Sequence, residues 1–433
     1  MNDTIFALAT PPGRGAIAVI RISGPDARAA ATCLGLGALT PRLAALRRLT
    51  HEGRLLDEAL VLWFAAPGGY TGEDALELHL HGGRAVVETV LSALIALGLR
   101  PAEPGEFTRR AFQNGRLDLA QAEAVADLID AETAAQRDQA LGQLGGALGA
   151  TYAAFREQLL RARALVEAEI DFPDEETPDQ VAQLAGPVLA GLQAGLEAAL
   201  ADAERGRRVR DGYRIVLIGE TNAGKSALFN ALVDRDAAIV TAIAGTTRDV
   251  LDAAFEIDGF AVTLSDTAGL RETADVVEAE GVRRARARAE AADLRLWVRG
   301  PGDAPGPAAD LVRDGDLVVW SKADLGAAPT SGGLSVSTLT GAGLDQLRDW
   351  LGRRLARDLG GADFPPVTRE RHRRRLSAAL KRVMAARTAL AQGRAELAGE
   401  DLRVAGDELA AVTGEIGVEA VLGEVFASFC IGK

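Results

Sequence analysis

One stretch at the centre of the chain limits the fold more than any other. Arg214–Ile218 (RIVLI) is an apolar run of strand type, and it leads straight into Gly219-Glu-Thr-Asn-Ala-Gly224-Lys225-Ser226. Ala-Leu-Phe-Asn-Ala-Leu then continues with helical character. Strand, glycine loop and helix in that order are the context a phosphate-binding loop requires. Glycines let backbone N–H groups turn inward around phosphates, and the helix N-terminus adds a favourable dipole. In such a loop Lys225 reaches the β- and γ-phosphates and the Ser226 hydroxyl ligates Mg²⁺.

Further motifs follow in the order a GTP-binding protein needs. Gly245-Thr246-Thr247-Arg248-Asp249 has the form of a first switch, with Thr247 completing the Mg²⁺ shell. Asp266-Thr267-Ala268-Gly269 ends an alternating apolar strand; Asp266 suits a water-mediated Mg²⁺ contact, and the Gly269 amide suits sensing of the γ-phosphate. Ser321-Lys322-Ala323-Asp324 follows the strand Leu317–Trp320 (LVVW). A carboxylate at Asp324 accepts from guanine N1–H and its 2-amino group, which adenine does not offer, so the site selects GTP over ATP. The Lys322 stem lies over the base in this scheme, and Ser337-Thr338-Leu339 supplies the last base contacts. Two departures stand out. Serine at 321 replaces the usual asparagine, with the expected loss of one amide clamp and weaker affinity, and Thr221 stands where proline is frequent.

Composition bears on the same residues. Of 48 basic residues only Lys225, Lys322, Lys381 and Lys433 are lysines. A lysine in so arginine-rich a chain marks a place for a compact ammonium; two of the four fall in nucleotide motifs, and Lys381 reads as helix surface. The net charge of −13 argues against a surface coated for nucleic acid. The runs Arg205–Arg210 and Arg369–Arg375 read first as solvated helix faces. Cys33 and Cys430 cannot build a disulfide framework. With no basic leader at MNDTIFALAT and no apolar run of about 18–20 residues, the expectation is a soluble cytoplasmic protein.

Residues 1–118 read as mixed α and β, with strands at Ala16–Ile22, Ala59–Phe64 and Ala75–His81 and a helix over 84–98. Residues 119–206 are helical in pattern apart from a break at Asp171–Pro178, and helical texture returns after Pro365-Pro366. The last 65 or so residues are few for a core of their own. Pairing them with 119–206 gives one helical bundle interrupted by an inserted α/β domain, a tolerable arrangement when chain ends lie close. Glu77, His79 and His81 share one face of a strand, although nothing else in the pattern supports a zinc site.

A Ras-like enzyme orients its attacking water with a glutamine just after the second switch motif. Leu270 occupies that place and cannot bond water; Glu272, Asp275, Glu278 and Glu280 are the acidic candidates nearby. Asn222 in the phosphate loop is either a turn-former or a ligand for a monovalent cation.

Taken together, Asn222–Ser226, Thr241–Thr247, Asp266–Glu272 and Asp275–Glu278 resemble the tRNA-modification GTPase MnmE (TrmE) family. So do Ala9–Gly15, Ile20–Gly24, Tyr70–Asp74, Glu103–Phe107, Asn114–Glu123 and Phe429–Lys433, so the resemblance runs end to end. It implies an N-terminal α+β folate-binding and dimerisation domain at 1–118. It also implies a helical domain at 119–210 and 361–433, and a Ras-like P-loop GTPase domain inserted at 211–360. GTP contacts fall on Asn222, Ala223, Gly224, Lys225, Ser226 and Ala227, and on Thr241, Ala242, Ile243, Ala244, Gly245, Thr246 and Thr247. Others fall on Asp266, Thr267, Ala268 and Gly269, on Ser321, Lys322, Ala323 and Asp324, and on Ser337, Thr338 and Leu339. Mg²⁺ is expected at Ser226 and Thr247; K⁺ at Asn222, Thr241, Ile243 and Thr246, with Glu278 as the catalytic glutamate. A 5-formyltetrahydrofolate or a related one-carbon folate falls to Arg21, Glu77, Arg116 and Lys433, where Arg116 replaces the family's lysine. Cys430 is either a buried small hydrophobe or, as the resemblance implies, a participant in the modification chemistry. The family acts as a homodimer with an FAD-dependent flavoprotein of the MnmG type, installing an aminomethyl-type (carboxymethylaminomethyl) group at carbon 5 of the wobble uridine of tRNA. A ribosome-assembly GTPase of the Era or Der type is the alternative; that type carries an RNA-binding KH-like appendage with a GxxG clamp.

Overall fold

The computed structural model describes residues 3–171, 184–236, 252–266, 276–303, 307–326, 332–361, 364–416, 422, 425, 426, 429 and 432. The chain forms two compact units, one of 1–126, 143–189 and 381–433, the other of 127–142 and 190–380. The second is thus carried as insertions within the first.

In the first unit, β1 (Ile5–Leu8), β2 (Ile17–Ser23), β3 (Ala45–His51), β4 (Arg54–Phe64), β5 (Ala75–His81) and β6 (Arg100–Pro101) build a sheet of order β3-β4-β5-β2-β1-β6. All neighbours are antiparallel except β1 and β6. Period-two alternation sends Ile20, Ile22, Leu76, Leu78 and Val61 to one face, where α1 (Ala27–Cys33) and α2 (Arg84–Ala96) cover them. The other face carries Arg21 and Glu77. Of the hairpin β3–β4 only the Ala59–Phe64 end of β4 was read from the sequence, because Arg47 and Arg48 interrupt the apolar pattern of β3. Nor was α3 (Glu106–Gln113), whose buried face includes the charged Glu106 and Arg110. Arg110, 1% exposed, donates to Glu106 Oε1 at 3.0 Å and to Asp3 Oδ1 at 2.9 Å, so the interior here is ionic and paired.

Helices fill the stretch read as helical: α4 (Leu119–Asp130), α5 (Ala134–Leu144), α6 (Ala147–Asp171), α7 (Ala185–Ala201) and α8 (Ala203–Asp211). The break falls where α6 ends, and 172–178 lie outside the described residues. In the second unit β7 (Tyr213–Ile218), β8 (Asp252–Ile257), β9 (Phe260–Asp266), β10 (Leu294–Arg299), β11 (Leu317–Trp320) and β12 (Leu334–Ser335) form a sheet of order β12-β11-β10-β7-β9-β8. It is parallel apart from the edge strand β8. The central strands β7 (YRIVLI) and β11 (LVVW), covered on both faces, are nearly continuous apolar runs. α9 (Lys225–Asp236) and α11 (Leu344–Leu359) pack through Leu228, Phe229, Leu347 and Leu351 on one face. α10 (Val276–Ala291) packs through Ala285 and Ala289 on the other.

Two helices after the second sheet, α12 (Glu370–Ala391) and α13 (Ala395–Thr413), complete the helical part. α13 lies along α6, as the reading of one interrupted bundle requires. A Cβ on Gly406 would stand 3.2 Å from Leu159 Cδ2, and one on Gly399 3.4 Å from Ile170 Cδ1. Glycines seven residues apart let the two helices approach on one stripe.

Candidate functional site

The phosphate loop joins β7 to α9. Gly219 has φ +148°, and a Cβ there would come within 2.2 Å of the Val298 carbonyl, so the close approach of β10 demands glycine. Asn222 also adopts a left-handed conformation, φ +67°, which asparagine tolerates better than most residues. Its turn-forming role therefore has a direct physical basis. Lys225, 6% exposed, donates from Nζ to the carbonyls of Gly219 and Glu220, each at 2.9 Å. Burial lowers its ammonium below the ordinary lysine value, while Asp266, Glu220 and Asp303 pull the other way.

At the end of β9, Asp266 accepts the Ser226 hydroxyl at 2.6 Å through Oδ2. Its Oδ1 is buried without a hydrogen-bond partner. A hard oxygen pair with an orphaned carboxylate oxygen beside a phosphate loop fits Mg²⁺. Lys225, Ser226, Asp266, Asn222 and Lys322 line one cavity of about 620 Å³. Thr241, Ala242, Ile243, Ala244, Gly245, Thr246, Thr247, Thr267, Ala268 and Gly269 lie outside the described residues, as do Leu270, Glu272 and Asp275. Glu278 and Glu280 fall on α10, but their side chains are outside what is described.

The guanine-reading segment leaves β11 beside this loop. Ser321 accepts no less structure than asparagine would impose: its hydroxyl donates to the Ala223 carbonyl, and the Arg299 carbonyl lies 3.1 Å away. Serine at this position still ties the segment to the phosphate loop through the Ala223 carbonyl. Lys322 Nζ donates to the Asn222 carbonyl at 2.7 Å. Ser337 donates to Asp324 Oδ1 at 2.5 Å, and the Ala323 amide donates to the Val336 carbonyl. Thr338 and Leu339 stand exposed after it. Ala227, in the first turn of α9, also lines the cavity.

The second candidate site lies on the open face of the first sheet. Arg21 and Glu77 are register partners on β2 and β5, with Arg21 Nε donating to Glu77 Oε1 at 3.0 Å. The guanidinium carbon sits 5.5 Å from the Tyr70 ring centre and 5.8 Å from that of Phe107. Sequence reasoning passed over Tyr70 and Phe107; both lie in motifs that carry the family resemblance. Arg116 is held beside Gly72, where a Cβ would meet its Cγ at 3.2 Å. Cys430 and Lys433 lie outside the described residues, but Gly432 abuts the end of β1: a Cβ there would meet the Leu8 carbonyl at 2.5 Å. His79 Nε2 is 3.5 Å from Glu77 Oε2, whereas His81 Nδ1 is 2.7 Å from Asp57. Among the described residues no group of three or more His, Cys, Asp or Glu side chains is arranged for a metal ion. Among the same residues no helix is long and apolar enough to cross a membrane.

Comparison with known proteins bears on both sites. The family described as the MnmE helical domain matches residues 119–430, and that described as the GTP-binding protein TrmE N-terminus matches residues 4–116. The tRNA modification GTPase MnmE of Caulobacter vibrioides is 54% identical over 447 residues, covering 100% of both chains. Its counterpart in Phenylobacterium zucineum is 52% identical over 448 residues with the same coverage. Among solved structures, Era in complex with MgGDPNP and part of 16S ribosomal RNA is 24% identical, covers 33% of this chain and 56% of that chain, and superposes with a TM-score of 0.27, too slight a likeness to bear on function. Two domain families spanning nearly the whole sequence, with relatives similar from end to end, show that the chain belongs to the MnmE (TrmE) family of tRNA modification GTPases.

Proposed function

We propose that the protein is a K⁺-activated GTPase that works on tRNA with a flavoprotein partner, leading to an aminomethyl-type group at carbon 5 of the wobble uridine. The observation that carries the reading is a single cavity lined by Lys225, Ser226, Asp266 and Lys322, with Asp324 held at its rim segment by Ser337. Names of full-length relatives give tRNA modification as their role. The domain bounds 1–118, 119–210, 211–360 and 361–433 belong to the same reading.

Lys225 exchanges its two loop carbonyls for phosphate oxygens when GTP enters, which restores full charge compensation to a buried ammonium. Ser226 and Asp266, with Thr247, would hold Mg²⁺, which when bound neutralises charge on the β- and γ-phosphates. Asn222, with Thr241, Ile243 and Thr246, would hold K⁺, which supplies the positive charge an arginine finger brings elsewhere. Glu278 positions the attacking water in place of the absent glutamine. Asp324 reads the guanine edge, its second oxygen steadied by Ser337. On the open sheet face Arg21, Glu77 and Arg116, with Lys433, would hold a one-carbon tetrahydrofolate in a homodimer, the folate supplying the one-carbon unit. Cys430, three residues from Lys433, is assigned to the modification step as the family resemblance implies. Hydrolysis drives the conformational change and is separate from the transfer chemistry.

The test is nucleoside analysis of tRNA from cells lacking the protein. Loss of the modified wobble uridine is expected; unchanged uridines would overturn the reading and leave an assembly GTPase of the Era or Der type.

A further inference from the structure

A parallel strand buried on both faces is ordinarily apolar throughout, yet β10 carries Arg295 at its second position, 3% exposed. Its Nε donates to Asp316 Oδ2 at 2.8 Å, and its backbone amide donates to Asp316 Oδ1 at 3.0 Å. Asp316 is itself fixed by the Arg313 amide at 2.7 Å. The two remaining nitrogens point the other way. Nη1 donates to the Ala289 carbonyl at 2.8 Å and Nη2 to the Ala292 carbonyl at 3.2 Å, at the C-terminal end of α10. Those carbonyls are among the last of the helix, which have no partner within it, and a cation there also meets the negative end of the helix dipole.

Among the described side chains, those of α10 buried against β7 are Ala285 and Ala289, of one carbon each. Small residues bury little apolar area, whereas the Arg295 fork is a directional bond set that fixes this end of the helix along and about its axis. Glu278 lies in the first turn of the same helix, 11 residues before Ala289 and so about 16 Å along the axis. A tilt of about 5° at the clamped end moves that turn by more than 1 Å, enough to cost about 10²-fold in a positioned reaction.

We propose that Arg295, held by Asp316, is a positioning residue for hydrolysis: it clamps the far end of α10 and so sets where Glu278 stands. The proposal rests on Glu278 as the water-positioning group. The test uses the full-length protein, with single-turnover GTP hydrolysis in K⁺ buffer, GDP affinity and melting temperature read for each variant. Arg295→Met is expected to slow hydrolysis about 10–100-fold with GDP affinity within about 2-fold, since no loop contact to nucleotide is touched. Arg295→Met with Asp316→Asn removes both buried charges while the asparagine oxygen can still accept a backbone amide, and should recover part of the melting temperature without recovering the rate, because the α10 carbonyls stay uncapped. Recovery of rate along with stability would overturn the proposal and leave a merely structural ion pair. Arg295→Lys keeps the charge without the fork and should fall between. Adding Arg295→Met to Glu278→Ala should slow hydrolysis no further than Glu278→Ala alone; multiplied effects would show that Arg295 does not act through Glu278. Wild-type rates in Glu278→Ala would instead defeat the catalytic reading of that glutamate.

Discussion

The two sheets of this protein build their candidate sites in opposite ways. In the parallel sheet the described candidate contacts around the phosphate loop gather at the carboxyl ends of strands: Gly219–Ser226 after β7, Asp266 at the end of β9, Ser321–Asp324 after β11. Parallel connections bring such loops together at one edge of the sheet, and each loop is a contiguous run of sequence. In the antiparallel sheet the candidate site lies on a face. Arg21 and Glu77 meet because they are register partners 56 residues apart, with Tyr70, Phe107 and Arg116 arriving from elsewhere. An edge site is written in motifs and a face site in register, so the first can be read from a sequence and the second only recognised by resemblance.

The sharpest way to break this contrast is at the edge site, where one loop residue carries one recognition. Asp324→Asn presents an amide to the N1–H and 2-amino donors of guanine and suits the 2-carbonyl of xanthine. Preference for GTP over xanthosine triphosphate should move by about 10⁴, the scale of an unmatched buried hydrogen-bonding edge. Competition binding checks it; unaltered GTP preference would mean that Asp324 does not read the base.

Next in size is the K⁺ response. Asn222→Ala should remove about 10²–10³ of the rate that K⁺ confers, while nucleotide still binds through Lys225 and the loop amides. GTPase rates in matched K⁺ and Na⁺ buffers decide: equal wild-type rates would end the cation mechanism. The left-handed φ of Asn222 adds a control, because Asn222→Gly keeps the turn and still lacks the amide side chain. A K⁺ response surviving in the glycine variant would return Asn222 to a turn-forming role.

The face site should respond to its register pair. Arg21→Gln breaks the ion pair with Glu77 and the ring contacts to Tyr70 and Phe107 in one step. Binding of 5-formyltetrahydrofolate should weaken by about 10²-fold, the scale of a lost charged hydrogen bond, with GTP hydrolysis nearly unchanged. Calorimetry with the folate reads it, and undiminished affinity would take Arg21 out of the site.

The same contrast explains what was legible. The phosphate loop, the helix after it, the strand LVVW and the bundle α6–α13 all followed from periodicity and local motif. Three features did not. β3 has arginines at two successive, unburied positions that break its apolar alternation, while α3 buries Glu106 and Arg110 and β10 buries Arg295, charges where burial normally selects apolar residues. The buried charges are tolerated because they are paired, and part of the pairing comes from outside any local window: Asp3 for Arg110 and Asp316 for Arg295.

The smallest expected effect concerns the ionic interior that hid α3. Burial by itself would raise the Glu106 carboxyl, but the bonds from Arg100, the Glu103 amide and Arg110 outweigh it and hold it below its ordinary value of 4.5. Asp3, bonded to Arg100 and Arg110, is likewise held below 3.8. A carboxylate with a depressed value in the folded state binds fewer protons there than when unfolded, so its stabilisation is complete above the ordinary value. It is lost as pH falls through the folded value. The first unit should therefore lose stability only below about pH 4.5. Glu106→Gln removes this acceptor and leaves two arginines beside Asp3, so at pH 7 it should cost about 2 kcal/mol, or about 4–8 °C in melting temperature for a region of modest size. The gap between wild type and variant should close as pH drops below the ordinary carboxylate range, because acid neutralises in the wild type the same charge that the substitution removes. Hydrogen exchange at α3 amides localises the effect to this unit, and Asp358→Asn provides the contrast in the other, where Asp358 is held low by Arg354, Tyr213 and Arg357 against its burial. A gap that stayed constant from pH 7 to pH 3 would show that Glu106 contributes shape and packing, and that its charge has no part in holding α3 to β6.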